Sequence, residues 1–209
     1  MTTYESSVPR AVPTTALADF LSREQVMDAG IRSLWAPVPH IAGPAFTAVC
    51  PPGDNLMLHA AIYRAEPGAV IVVESGDLDH ALAGGNVCAI ARRRGVAGFV
   101  LDGLIRDIGE VREMGFPVFA RGVIPKPGAK QQATPLGAAA WCGGVRVNAG
   151  DLVVADEDGV VVVPRDDQEQ ALRAAQAKAE LEDTQPLDEW EAAHRARIDL
   201  ILAEGAGPG

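Results

Sequence analysis

Residues 84–107 read GGNVCAIARRRGVAGFVLDGLIRD, and the order of their parts decides the fold class. Small residues open a helical pattern at Gly84, and Arg92, Arg93 and Arg94 close it, where cations favour the negative end of the helix dipole. A short apolar run at 98–101 follows and reads as a buried strand. Beyond Asp102-Gly103 stand Arg106 and Asp107, an opposite-charge pair behind the strand exit, where small polar turn residues are the usual choice.

The same alternation extends both ways along the chain. Runs at 45–50, 69–74 and 117–120 read as strands, and the stretches 55–63 and 108–114 read as helices, the first capped by Asn55 and the second closed by Gly115. The centre therefore reads βαβαβαβ. After residue 140, strand-like runs at 144–147, 152–154 and 160–163 are separated by tight turns at 148–150 and 156–159. Helical pattern covers 15–21, a short turn within 22–30, then 167 to about 182 and, past Pro186, 187 to about 203. Hairpins beside a βα core predict layered sheets with helices outside. The expected organisation is a flexible arm over 1–14, a single α/β domain over 15–165, and a C-terminal helical extension and tail over 166–209.

Composition narrows the class of function. The 209 residues are 48% hydrophobic but only 5% aromatic, which suits one α/β core better than an all-β secreted sandwich. A net charge of -10 argues against a nucleic-acid partner, because counterion release needs a concentrated positive surface. Cys50, Cys88 and Cys142 are isolated in apolar surroundings, the pattern of reduced packing residues in a cytoplasmic protein. No basic start with an apolar stretch marks a leader, and no apolar run approaches the ~18 residues of a membrane span. A soluble, intracellular protein with no membrane partner is expected.

Arg106 and Asp107 admit two readings. Asp107, three residues before Glu110, forms a capping-box-like pair, with Arg106 as a surface partner for Asp102 or Glu110. Alternatively, a carboxylate at a strand end holds a divalent cation whose remaining positions are filled by water, while the planar Arg fork grips a substrate carboxylate. Together they would bind a 2-oxo acid. Gly84, Gly85, Asn86 and Val87 likewise read either as an ordinary helix start or as free amides that attract a carboxylate. Asp102 reads as a turn residue before Gly103 or as a further acid.

Other chemistries find less support. Lys126 and Lys130 lie in a Pro/Gly loop and Lys178 on a polar helix, where nothing would desolvate an amine for Schiff-base work. His40, His59, His80 and His194 lack metal-ligand spacing, and His59 within an apolar helix reads as a core residue. There is no Gly-x-Ser-x-Gly elbow or phosphate loop. Nor does a glycine-rich nucleotide loop precede an acidic ribose ligand, which argues against a methyltransferase.

Three blocks carry a resemblance: GGNVCAIARRRGVAGFVLDGLIRD at 84–107, GFPVFARGVIP at 115–125 and GDLVVADEDGVVVVP at 150–164. In this order, within about Gly53 to Arg165, the chain resembles the RraA-like family. That family includes metal-dependent 4-hydroxy-4-methyl-2-oxoglutarate and 4-carboxy-4-hydroxy-2-oxoadipate aldolases and the regulator of ribonuclease activity A. The resemblance implies a swivelling β/β/α-type layered fold, a homotrimer or dimer of trimers, and an active site at the subunit boundary. It implies that Asp107 binds Mg²⁺ or Mn²⁺, that Arg106 holds the substrate, and that Gly84, Gly85, Asn86 and Val87 serve the pyruvyl carboxylate. An acidic residue of a neighbouring subunit's C-terminal helix would complete the site, with Glu182 the match by spacing and Glu180 next.

The implied activity is a divalent-metal-dependent pyruvate aldolase acting on a small 2-oxo acid, with oxaloacetate decarboxylation as a side activity. One departure stands out. Catalytic relatives often carry an acidic residue twenty-one residues before the arginine, and here that place holds Gly85. Two alternatives therefore stay open: a protein-binding regulator without catalysis, and a lyase of a specialised pathway on the same scaffold.

Overall fold

The computed structural model describes residues 12–205, so most of the arm expected over 1–14 lies outside the described residues. Helix α1 (Thr14–Ala18) already packs, with Val12, Thr14 and Leu17 buried. A two-residue strand β1 (Arg32–Ser33) precedes the alternating centre: β2 (Ile41–Cys50), α2 (Leu56–Ala61), β3 (Val70–Ser75), β4 (Ala81–Ala83), α3 (Gly85–Arg93), β5 (Gly98–Ile105), α4 (Ile108–Glu113) and β6 (Val118–Val123). Then come the hairpins β7 (Ala140–Cys142) with β8 (Val145–Val147) and β9 (Leu152–Asp156) with β10 (Gly159–Val163), followed by α5 (Gln168–Thr184) and α6 (Leu187–Gly205).

β2, β3, β5 and β6 are parallel neighbours, and the main sheet runs β1-β6-β5-β3-β2-β9-β10, with β4 paired to β5. Successive side chains of a strand face opposite sides. Ile71, Val73, Phe99 and Leu101 therefore enter one apolar cluster with Leu58, Ile62, Cys88, Ala91 and Val111 of the helices. Val70, Val72, Val100 and Phe119 enter another with Val145, Val147, Val153, Ala155, Val160 and Val162 of the hairpins. Burial on both faces explains why these strands are continuous apolar runs. Each fully buried Val, Leu or Phe stabilises by about 1.5–3 kcal/mol. The layers are helices, parallel sheet, hairpins and, behind β9–β10, a third cluster that joins Leu17 of α1 to Ala171 and Ala175 of α5. This is the expected layered β/β/α arrangement.

Several boundaries differ from the sequence reading for physical reasons. β2 starts four residues before the expected Ala45, because its first part, Ile41 to Pro44, pairs antiparallel with β9 while its second part pairs with β3. Pro44, with no N–H to give, stands at the handover. Gly43 is required there: a Cβ on it would lie 2.1 Å from the Gly68 carbonyl oxygen. Asn55 occupies the N-cap position of α2, but its side chain caps nothing and donates to the Ala81 carbonyl at 3.1 Å. The cysteines are free and buried, and burial pushes the Cys50 thiol up to about 11 and Cys88 to about 12. Among the described residues no helix is long and apolar enough to cross a membrane.

Asp54 fixes the loop after β6. It is fully buried and accepts from the Leu56 amide at 2.8 Å and from the Gln131 and Gln132 amides at 2.6 and 3.2 Å. Burial pushes its pKa up, and the three amides more than offset this, leaving it below the usual carboxylate range. Removing the carboxylate in Asp54→Ala leaves buried donors unpaired and should lower the unfolding free energy by about 3 kcal/mol. Because the folded-state pKa is lowered, this difference should be full at pH 7 and shrink as the pH falls below about 4. Urea unfolding of both proteins at pH 7 and pH 3.5 measures it, and a difference independent of pH would refute the assignment.

Candidate active site

Strand β5 does not turn at Asp102-Gly103; it continues to Ile105, where it still pairs with Val123 of β6 and Ala83 of β4. Asp102 is accordingly neither a turn residue nor a partner of Arg106. Its carboxylate takes the Arg121 Nε at 2.6 Å and the Gly143 amide at 2.9 Å, and Arg121 reaches on to Asp28 at 2.7 and 2.9 Å. That network clamps β5 to β6 and to the turn between β7 and β8.

The strand then ends on Arg106 and Asp107. The Arg106 amide donates to the Ala83 carbonyl at 2.9 Å, so the ends of β4 and β5 stay in register. Asp107 adopts φ 60°, ψ 36°, the one left-handed non-glycine among the described residues. Aspartate tolerates that region better than most residues. The capping-box reading fails here: Asp107 sits at the N-cap position of α4, yet its side chain makes no cap bond. The carboxylate instead turns to α3 and accepts the Gly85 amide at 3.1 Å. Arg106 Nε stands 3.5 Å from the same oxygen, and both side chains are partly exposed, at 44% and 39%.

The two glycines at the start of α3 permit this approach. A Cβ on Gly84 would lie 2.4 Å from the Asp107 oxygen and 3.0 Å from Arg106 Cγ, and a Cβ on Gly85 would lie 2.0 Å from Glu110 Oε2. The Gly85 amide, expected for the substrate, is thus already used by Asp107. The Asn86 and Val87 amides remain, in the first turn where helical geometry provides no intrahelical acceptor.

Gly84, Asn86, Val87, Arg106 and Asp107 line one pocket together with Asn55, His59, Leu82 and Lys130. One of these residues corrects the sequence reading, and another was not expected here. His59 is no core residue: it lies half-buried on the pocket wall, and burial, with help from the cations of Lys130 and Arg106, lowers its pKa to about 4. Lys130 comes from the loop held by Asp54, and the Ala129 amide and carbonyl tie that loop to Gly53 and Asn55 at 2.8 Å. No spacing in the sequence signals that a loop 23 residues past Asp107 folds back over it. Glu182 lies elsewhere, exposed on α5 and 3.3 Å from Lys178, and Glu180 is exposed nearby. A wider groove at the far end of α3 holds Arg94, which donates to the Ile62 and Tyr63 carbonyls at 2.6 and 3.1 Å and so closes the end of α2.

Among the described residues no three His, Cys, Asp or Glu side chains gather as a ready cage. A single outward carboxylate at the rim of a pocket does fit a hard cation that keeps most of its waters and takes further oxygens from a substrate.

The Aldolase/RraA model of RraA-like proteins matches residues 14–162. The chain belongs to the RraA-like family. It is 37% identical over 195 residues to a Halalkalibacterium halodurans protein named "Putative 4-hydroxy-4-methyl-2-oxoglutarate aldolase", covering 93% of this chain and 89% of that one. Streptomyces coelicolor RraAS2, described as an unusual member of the RNase ES inhibitor RraA family, superposes with a TM-score of 0.69 at 30% identity, over 91% of this chain and 93% of that one. The RNA-processing inhibitor RraA from Thermus thermophilis gives a TM-score of 0.66 at 30% identity, over 73% and 92%. Relatives of an RraA-like chain thus carry both an enzyme's name and a regulator's.

The electrostatics of the pocket wall are directly measurable. The His59 imidazole should titrate near pH 4 by NMR and be neutral at pH 7. Removing one neighbouring cation in Lys130→Ala should raise that midpoint, and a midpoint at the usual ~6.5 in wild type would refute the pocket placement.

Proposed function

We propose that this chain is a divalent-metal-dependent pyruvate aldolase that cleaves a 4-hydroxy-2-oxo acid and also decarboxylates oxaloacetate. The observation that carries this reading is the outward turn of the Asp107 carboxylate beside the Arg106 guanidinium, over the free first-turn amides of α3. Aldolase names among its relatives support a lyase. Asp107 would hold Mg²⁺ or Mn²⁺. When bound, that ion supplies Lewis acidity, drawing charge from the keto group and stabilising a developing enolate.

The chain's own residues do the rest. Arg106 offers two parallel N–H donors to the substrate carboxylate, and the Asn86 and Val87 amides add the positive end of the α3 dipole. Retro-aldol cleavage would break the bond between C3 and C4 as the C4 hydroxyl gives its proton to water and C4 leaves as a carbonyl; loss of a β-carboxylate as CO2 leaves the same pyruvate enolate, which takes a proton from water at C3 to give pyruvate. One binding arrangement therefore serves both reactions. Lys130 and neutral His59 stand on the wall that would receive the group beyond the pyruvyl unit.

The active unit on this reading is a homotrimer or a dimer of trimers of a cytoplasmic protein, with Glu182 of a neighbouring copy approaching the site. Exposed Leu187, Trp190, Ile198, Ile201 and Leu202 on α6 support burial against another chain. The net charge of -10 supports a small anionic substrate reached through local cations and gives no surface for nucleic acid.

Pyruvate release from oxaloacetate should require added Mg²⁺ or Mn²⁺ and fall by at least about a hundredfold in Asp107→Ala, followed with a coupled pyruvate assay on protein checked for folding. Arg106→Ala should raise KM strongly as the carboxylate loses its fork. Unchanged turnover in Asp107→Ala would retire the cation assignment. A folded wild type that releases no pyruvate from either class of substrate would favour the regulator named among its structural neighbours.

A further inference from the structure

We propose that the groove at the far end of α3 binds a nucleoside phosphate, a flat base with an anionic tail, at a site separate from the catalytic pocket. Nine residues of α3, about 13 Å of helix, lie between the two. The proposal does not depend on the aldolase reading.

The groove encloses about 440 Å³, a volume that takes a small organic ligand, and Tyr63, Arg64, Glu66, Ile90, Arg93 and Arg94 line it. Three guanidiniums thus share one carboxylate. The ion-paired arginines among the described residues are Arg106, Arg121, Arg173 and Arg195, and none of them lines this groove. Cations at helix ends commonly serve the last carbonyls, but here those carbonyls are already taken. The Arg94 amide donates to the Ile90 and Ala91 carbonyls at 3.0 and 3.1 Å, Gly95 to Arg92 at 3.0 Å and Val96 to Ala91 at 3.1 Å, with Gly95 left-handed at φ 82°. The Arg94 side chain closes α2 instead, and Arg64 gives one N–H to the Ala60 carbonyl at 3.2 Å. Arg93 makes no side-chain hydrogen bond among the described residues. Like charges gathered on one groove repel, in a chain that has 28 Asp and Glu against 18 Lys and Arg. An anion of two or more charges turns that repulsion into attraction, and the planar guanidinium fork suits phosphate oxygens.

Tyr63 points to the other half of the ligand. Its ring is 54% exposed, and the Arg94 guanidinium stands 5.5 Å from the ring centroid, held there by the two carbonyls of α2. A flat ring fixed beside free guanidiniums is a platform on which a base stacks while its phosphates reach Arg93 and Arg64. Such a ligand needs only this local patch. A single nucleotide therefore suits a chain of net charge -10 where a nucleic acid does not.

Calorimetric titration of the full chain with ADP, free of divalent ions, tests the site, with pyrophosphate as the probe that lacks a base. Wild type should bind ADP with a Kd below about 1 mM, and more tightly than pyrophosphate. Arg93→Ala and Arg64→Ala should each weaken both ligands at least about tenfold, and Tyr63→Leu should weaken ADP alone by about as much, all three unfolding thermally as wild type does. Arg106→Ala should leave ADP affinity unaltered. Arg93 holds no structural bond, so its variant decides even where Tyr63→Leu loses stability. No ADP binding at about 1 mM, or affinity within about twofold of wild type in Arg93→Ala, would overturn the site. Loss of ADP binding in Arg106→Ala would move the anion to the catalytic pocket and overturn it equally. Equal affinities for ADP and pyrophosphate, both indifferent to Tyr63→Leu, would overturn the nucleoside assignment.

Discussion

The contact on which the site depends is the close approach of the β5–α4 turn to the first residues of α3. It requires a left-handed aspartate at 107, a cost of about 1–2 kcal/mol that glycine would avoid, and a side chain on residue 84 would push the Asp107 carboxylate aside. A glycine at 107 would make the turn more cheaply but would carry no carboxylate. The chain keeps a strained residue with a charge where an unstrained one without it would suffice for folding, and the neighbouring glycines make room for that charge. Strain retained where a helix start, an arginine and a pocket converge is the kind of backbone outlier from which a functional site is inferred.

The rest of the fold holds this approach fixed. β5 is buried on both faces between β3 and β6, so its end cannot shift without disturbing two apolar clusters. β4 pairs with the last turns of β5, and its Ala83 carbonyl takes the Arg106 amide, which delivers the start of α3 to the Asp107 side. On the opposite wall, buried Asp54 and the ties at Gly53, Asn55 and Ala129 set the loop that brings Lys130 over the pocket. The side chains of the pocket are therefore positioned by backbone hydrogen bonds between elements far apart in sequence.

That division decides what the sequence could reveal. Apolar runs such as 98–101 and 69–74 announce buried parallel strands because both faces need the same chemistry, and the glycines and arginines around α3 mark its ends. The pair Arg106-Asp107 was legible as unusual for a strand exit. What the pair does was not, because a capping box and a turned-out carboxylate share one spacing, and only the left-handed backbone separates them. β1, β4 and β7 carry two or three residues each, too few for a period to show. His59 looked like core because its helix neighbours Met57, Leu58 and Ala61 are core; what it faces depends on where the loop carrying Pro127 and Lys130 lands. Glu110 was seen only as a cap partner, since nothing in sequence tells a glutamate that lies over a glycine from one that points to water.

On the proposed reading, exposure is the remaining physical problem. In a single chain Arg106 and Asp107 are about two-fifths exposed. A charge pair in that setting gains little from Coulomb attraction, about 1 kcal/mol at 4 Å in water against roughly 4 kcal/mol near a drier surface. Stabilising an enolate therefore asks for water to be excluded from this end of the sheet. Meanwhile α6 is a 19-residue helix whose described side chains all stand in solvent, including Leu187, Trp190, Ile198 and Leu202, more apolar surface than a lone helix sustains. The two needs are complementary: the helix wants cover, and the site wants a lid. On the proposed reading, assembly of this chain with copies of itself would meet both at once, drying the site as it buries the C-terminal helices.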